Sequence, residues 1–258
     1  MIPDIPNLNY TDTAPFFLIA GPCVVEDEDT MYEIAQHLCK ISEEFKLPVI
    51  FKASYMKANR TRLDSYMGGV ENIPMLRRIK IDTGLPITTD FHSIYEIEQY
   101  AHSVDVIQIP AFLSRQTPLL VAAAKTGKWV NIKKGPFMSV DDMWDAFDKV
   151  VQSGNKKVMA TERGTTFGYS DLIVDIRNIP FMQQYEAPVI LDVTHSLGVR
   201  DGDVILMTTL ARAGLAAGAD GIFIETHPDP DKARSDGKRM LPLDMLENFI
   251  RQLINMKR

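Results

Sequence analysis

Short apolar, β-branched runs recur along the chain at nearly even spacing, and amphipathic stretches separate most of them. The runs are Phe16–Ala20, Val49–Phe51, Pro86–Thr89, Val104–Ile109, Trp129–Ile132, Lys157–Ala160, Val189–Val193 and Gly221–Ile224. Most are near-continuously apolar rather than alternating, the pattern of parallel strands covered on both faces. Between the first two, Thr30 to Lys46 places Met31, Ile34, Ala35, Leu38, Ile41 and Phe45 at helical spacing. Ser139 to Gln152 reads as a second clear helix, with Ser139 as N-cap and Asp141 and Asp142 in the first turn. Eight strand–helix units in about 250 residues predict an α/β fold, a (β/α)8 TIM barrel, with a doubly wound sheet as the alternative. The first 14 residues precede the first strand as a short N-terminal extension, expected to cover the barrel's bottom. No linker or low-complexity segment divides the chain, so residues 1–258 are expected to form one domain.

Composition narrows the function. A net charge of -6 supplies no global basic field, which argues against nucleic acid as a partner. No apolar run approaches the roughly 18 residues of a membrane span, and the first residues do not read as a signal peptide. Two cysteines, Cys23 and Cys39, are too few for a disulfide framework and lead us to expect a reducing, cytoplasmic setting. The local exception to the acidic balance is Phe51 to Arg62, which gathers Lys52, Lys57, Asn59, Arg60 and Arg62 after a strand. A solvated basic loop accounts for such a cluster. So does a site for a small anion, since phosphate and carboxylate need fixed donors in a partly dry pocket.

What ends each predicted strand separates the two. In order these residues are Cys23, Lys52, Asp90, Gln108, Lys133, Arg163, His195 and Glu225. In a barrel, all of them converge on one mouth, where the active site lies. They divide by chemistry. Lys52, Lys57, Arg60, Lys133 and Arg163 suit a ligand with several negative charges. Cys23, His195, Glu225 and Asp236 offer a thiolate, an imidazole and two carboxylates, a set suited to a borderline divalent ion, although their spacing is not a finger-type ligand pattern. His227, two residues past Glu225, is an alternative ligand. His37, His92, His102 and Cys39 are expected as surface or core residues.

The motifs resemble those of a known family. They are Ile19-Ala-Gly-Pro-Cys23, Phe51-Lys-Ala-Ser54, Lys57-Ala-Asn-Arg60, Asp105-Val-Ile-Gln-Ile-Pro-Ala-Phe112 and Arg115-Gln-Thr117. Further along come Asn131-Ile-Lys-Lys134, Glu162-Arg-Gly164, Phe167-Gly-Tyr169, Leu191-Asp-Val-Thr-His-Ser196 and Ile224-Glu-Thr-His-Pro-Asp-Pro230. From about Phe17 to Leu246 the chain resembles the metal-dependent branch of the 3-deoxy-D-manno-octulosonate 8-phosphate (Kdo 8-phosphate) synthases. The resemblance implies a transferase that condenses phosphoenolpyruvate with D-arabinose 5-phosphate and releases inorganic phosphate. It assigns Lys52, Lys57, Lys133 and Arg163 to phosphoenolpyruvate, and Asn59, Arg60 and Asp90 to the sugar phosphate, with Gln108 at the same mouth. It also implies a homotetramer in which Arg115 reaches a neighbour's sugar site. The divalent metal, Mn, Fe, Zn or Co, would lie on Cys23, His195, Glu225 and Asp236, and catalytic roles fall to His195, Asp236, Lys57 and Cys23.

Two segments depart from the family pattern. After His195, Ser196 to Asp203 runs almost directly into the next helix, and after Arg60 the chain is compact, with Met67-Gly-Gly-Val70. A shorter rim leaves room for a six-carbon acceptor such as D-mannose 6-phosphate. A barrel that binds a sugar phosphate without catalysis is the reading from another class.

Overall fold

The computed structural model describes residues 1–256. Eight parallel strands close into a barrel: β1 (Phe17–Gly21), β2 (Val49–Lys52), β3 (Ile87–Asp90), β4 (Val106–Ile109), β5 (Trp129–Lys133), β6 (Val158–Glu162), β9 (Val189–Asp192) and β10 (Gly221–His227). A short antiparallel hairpin, β7 (Thr165–Phe167) with β8 (Asp171–Ile173), interrupts the count after β6. The ring closes where β10 pairs with β1, Phe17 opposite Gly221 through Gly21 opposite Glu225. Closure replaces the doubly wound alternative. An open sheet would leave β1 and β10 as edges.

Eight helices surround the ring: α1 (Glu28–Phe45), α2 (Ile73–Thr83), α3 (Ile94–Tyr100), α4 (Thr117–Lys125), α5 (Val140–Gln152), α6 (Asn178–Gln183), α7 (Val204–Ala216) and α8 (Leu246–Ile254). Helix α1 begins two residues before the expected start, because Asp27 caps it by accepting from Thr30 N. Helix α5 starts as its sequence predicts. Ser139 and Asp142 exchange both bonds of a capping box, satisfying two end N–H groups. Met31, Ile34, Ala35, Leu38 and Ile41 of α1 enter the outer core, between the ring and the helices.

Inside the ring lies a second, smaller core. Phe17, Ile19, Ile50, Val106, Met159, Ile190 and Phe223 fill it, and Ile5 and Leu8 of the N-terminal extension close it from below. Trp129 Nε1 donates to the Asp4 carbonyl at 2.7 Å, tying the extension to the foot of β5. Successive residues of a strand face opposite sides, so every second one points inward. Two residues further up, the inward positions change character. Ile50 is followed by Lys52, Val106 by Gln108, Met159 by Thr161, Ile190 by Asp192 and Phe223 by Glu225, while β5 carries Asn131 and then Lys133. The lower barrel is therefore packed apolar, and the upper barrel is a ring of buried polar and charged groups. Gly21 holds the matching place on β1, where a Cβ would collide with the Lys52 carbonyl.

Candidate active site

The mouth has two connected lobes. Lys52, Lys57, Asp90, Gln108, Lys133, Arg163, His195 and Phe223 are prominent in the inner lobe. The outer lobe shares Lys57, Asn59 and His195 and adds Arg60, Thr61, Arg62, Ser65, Asp236 and Arg239. Six of the eight expected strand-end residues thus line the inner lobe, and the other two, Cys23 and Glu225, lie together beside it. Arg115 does not line either lobe: its guanidinium is exposed and lies 3.8 Å from Asp142.

Burial makes the inner lobe's electrostatics strong, because its charges compensate one another rather than water. Lys52 Nζ lies 2.5 Å from Glu225 Oε1 and donates to the Cys23 carbonyl at 2.9 Å. Asp90 accepts from Ser54 Oγ at 2.6 Å and Gln108 Nε2 at 2.7 Å, and Lys57 Nζ is 3.3 Å away. Burial alone would raise the Asp90 carboxyl, but Lys57 and Lys52 override it and hold it well below the usual range. Gln108 is fixed in turn by Asn131 Nδ2 at 3.1 Å, and Asn131 accepts from Thr161 Oγ1 at 2.8 Å. This polar layer carries Asp90 and Gln108 on a satisfied network.

Across the lobe, Lys133 is ion-paired to Asp192 and sits 3.3 Å from the centre of the Phe223 ring. Burial pushes its ammonium down to about 8, against the pull of Asp192. Asp192 also accepts from Thr194 N and His195 N, and Nδ1 of His195 lies 2.8 Å from its Oδ2. One carboxylate thus positions both Lys133 and His195. Asp192 is not among the strand-end residues expected from the sequence, although its place two residues above inward Ile190 marks it as a mouth residue. His92, expected at the surface or in the core, instead lines the inner lobe and lies 3.2 Å from Glu96 through Nδ1. It follows β3 by two residues, so the chain has not yet left the mouth.

Cys23, Glu225 and Asp236 offer ligand atoms within 4.8 Å of one another. The Cys23 thiol donates to Asp236 Oδ2 at 3.0 Å, and burial pushes it up to about 12. Oε2 of Glu225 is buried and, among the described residues, has no hydrogen-bond partner. A fully buried carboxylate oxygen left unpaired is costly, and a cation would satisfy it. The donor set fits a divalent ion of borderline softness. His195 stands outside the trio, its Nδ1 turned to Asp192. His227 is not part of it either: its Nδ1 accepts from Asp229 N, and its Nε2 lies 3.9 Å from Glu26.

A sequence model described as the DAHP synthetase I family matches residues 8–258. The chain belongs to that family. It is 42% identical to the 2-dehydro-3-deoxyphosphooctonate aldolase of Syntrophotalea carbinolica, with 97% of this chain and 94% of the relative covered. The protein of the same name from Bartonella henselae is 46% identical, over 96% of this chain and 92% of the relative. That of Pisum sativum is also 46% identical, over 95% and 89%. These names belong to the synthases that the motifs resemble, so the family drawn from the motifs holds. The loop after His195 is fastened at both sides. Val199 N donates to Asp171 Oδ1 at 3.3 Å, and Arg239 Nε donates to Asp201 Oδ1 at 2.6 Å. The compact segment after Arg60 is fastened too: Lys57 N donates to the Met67 carbonyl at 2.7 Å.

Proposed function

We propose that the chain joins phosphoenolpyruvate to D-arabinose 5-phosphate, giving an eight-carbon 3-deoxy-2-ulosonate 8-phosphate and inorganic phosphate. One juxtaposition carries the reading: a buried cationic lobe opens beside the Cys23, Glu225 and Asp236 trio, and a second cationic lobe leads out from it. The relatives' names supply the carbon count. An octonate less the three carbons of phosphoenolpyruvate leaves a five-carbon acceptor.

In this reading Lys52, Lys57, Lys133 and Arg163 bind the phosphate and carboxylate of phosphoenolpyruvate. Asn59, Arg60 and Asp90 hold the aldose phosphate, so that the aldehyde carbon meets C3 of the enol. The enol electron pair forms the new C–C bond, and the aldehyde oxygen takes a proton. Positive charge arises at C2, water adds there and loses one proton, and the C2–O bond to phosphate breaks as the new C2 hydroxyl gives its remaining proton to the departing phosphate and becomes the ketone. His195 and Asp236 border both lobes or the outer one, and are the groups to move these protons. Cys23, Glu225 and Asp236, with His195 beside them, would hold a divalent ion. When bound, such an ion polarises an oxygen of the aldehyde or of water. Arg115, exposed on this chain, serves a neighbour's sugar site in the proposed homotetramer.

The test is phosphate release from phosphoenolpyruvate by metal-loaded protein, with and without arabinose 5-phosphate. Release that depends on the aldose phosphate is expected. No release with any four- to six-carbon aldose phosphate would leave a binding barrel as the better reading.

A further inference from the structure

Arg239 was not among the residues singled out in the sequence, yet it lines the outer lobe with Arg60, Arg62 and Lys57. Of the other cations of that lobe, Arg62 is exposed and lies 3.9 Å from Asp64, while Lys57 and Arg60 are turned to groups of the mouth. Lys57 is paired with Asp90, and Arg60 donates to Ser235 Oγ at 2.6 Å and lies 4.0 Å from Asp236. Arg239 is held differently. Its Nε donates to Asp201 Oδ1 at 2.6 Å, and its Nη2 donates to the Gly198 carbonyl at 3.3 Å. Neither Asp201 nor Gly198 lines the lobe, so both grip the guanidinium from outside. Among the described residues, Nη1 makes no protein hydrogen bond.

A guanidinium fixed through two of its three nitrogens, with the third free beside a cavity, is set to receive an anion with little further loss of side-chain freedom. Arg60, across the same lobe, also has a buried Nε without a partner among the described residues. We propose that Arg239 is a specificity-determining residue that binds the phosphate of the aldose phosphate opposite Arg60. Asp201 acts as its positioning residue. This assignment rests on the condensation reading above and extends it to Arg239 and, through Asp201, to the short rim. It also gives that rim a purpose. The loop after His195 carries Asp201, and through it fixes the second arm of the phosphate clamp.

Steady-state kinetics on the metal-loaded protein test the assignment, varying arabinose 5-phosphate at saturating phosphoenolpyruvate and then the reverse. Arg239→Ala is expected to raise the KM for arabinose 5-phosphate roughly tenfold or more. The KM for phosphoenolpyruvate should stay within about twofold, and unphosphorylated arabinose should be used no worse than by wild type. Arg239→Lys should restore part of the loss, because it returns the charge without the fork. Asp201→Ala, which keeps the guanidinium but frees it, should fall between wild type and Arg239→Ala. An unchanged KM for arabinose 5-phosphate overturns the proposal. So does an equal rise for phosphoenolpyruvate, which would put Arg239 with Arg163 at the inner lobe. Failure of the condensation reading looks different, because wild type itself would then release no phosphate. Calorimetry with arabinose 5-phosphate decides in that case: binding weakened about tenfold by Arg239→Ala upholds the clamp, and equal binding sinks it.

Discussion

Lys133 shows how one residue's surroundings become a rate. It is buried, paired with Asp192, stacked on Phe223, and pushed down to about 8 by burial. If its charge holds phosphoenolpyruvate, kcat/KM should fall as pH rises through about 8, since that ratio reports the free enzyme. Lys133→Arg cannot lose its proton there, so its falling limb should move upward even if its rate is lower; an unmoved limb would assign it elsewhere. Lys133→Ala and Arg163→Ala should each lower kcat/KM by about 100-fold or more, or roughly 2–4 kcal/mol, with the fold intact. A value within threefold of wild type would remove that residue from the site. Glu96 makes a second residue-scale test. Burial would raise its carboxyl, but bonds from His92 and Tyr55 bring it down from 4.5 to about 2. A depressed carboxylate contributes stability that is complete above its unfolded value and lost as pH falls from 4.5 towards 2. Glu96→Gln should therefore unfold at lower urea than wild type at pH 7, with the gap narrowing on acidification. Strand-end residues were legible because the pleat turns every second side chain inward. Arg239 was not, since it approaches Arg60 only through the fold and no local pattern joins them.

Among the elements, the barrel strands were legible and the hairpin β7–β8 was not. Its strands span three residues each, and most of their side chains are exposed or half-buried, so they lack the apolar run that marks the others. What holds its base is a buried ion pair. Lys134 Nζ lies 3.3 Å from Glu162 Oε1 and donates to the Gly164 carbonyl at 3.2 Å and Thr165 Oγ1 at 3.1 Å. Glu162 accepts in turn from Arg163 N at 3.0 Å, Gly164 N at 2.7 Å and Asn178 Nδ2 at 2.9 Å. The pair joins β5, β6, the hairpin and α6, and its backbone bond fixes where Arg163 leaves the strand. Removing one partner strands a buried charge, so Lys134→Met should cost about 3–5 kcal/mol in chemical unfolding. The same variant should lower kcat/KM through Arg163. A cost below about 1 kcal/mol would mean that water reaches the pair. Helices α6 and α7 were less clear in the sequence than α1 and α5. The first is six residues long, and the second, Val-Ile-Leu-Met-Thr-Thr-Leu, has apolar residues on too many sides to show a face.

The whole barrel sets the conditions for metal and acceptor. A thiolate ligand binds a divalent ion only after losing its proton, and burial resists that loss at Cys23 until a cation is present. Chelator-treated protein should lose phosphate release and regain it with Mn²⁺, Fe²⁺, Co²⁺ or Zn²⁺. Binding of Co²⁺, followed by its thiolate absorption, should weaken as pH falls and vanish in Cys23→Ala. Full activity after verified removal of metal would dismiss the trio as a metal site. The short rim bears on acceptor length. Its fastening by Asp171 and Arg239 makes it a fixed edge rather than an open gap, so a sixth carbon finds less room than loop length alone implies. We expect kcat/KM for arabinose 5-phosphate to exceed that for mannose 6-phosphate by about 10–200-fold, the range that one misplaced carbon commands. A ratio below unity would reverse the assignment.

The N-terminal extension seals the lower end of the ring with Ile5 and Leu8, which leaves the mouth as the route for all traffic. A blind tube imposes a queue. The two lobes share Lys57, Asn59 and His195, so an aldose phosphate seated first would obstruct phosphoenolpyruvate. Entry should therefore be sequential, phosphoenolpyruvate ahead of the sugar. Product-inhibition patterns and trapping of bound phosphoenolpyruvate in a pulse–chase would reveal the order, and equal trapping of either substrate would show a second way in.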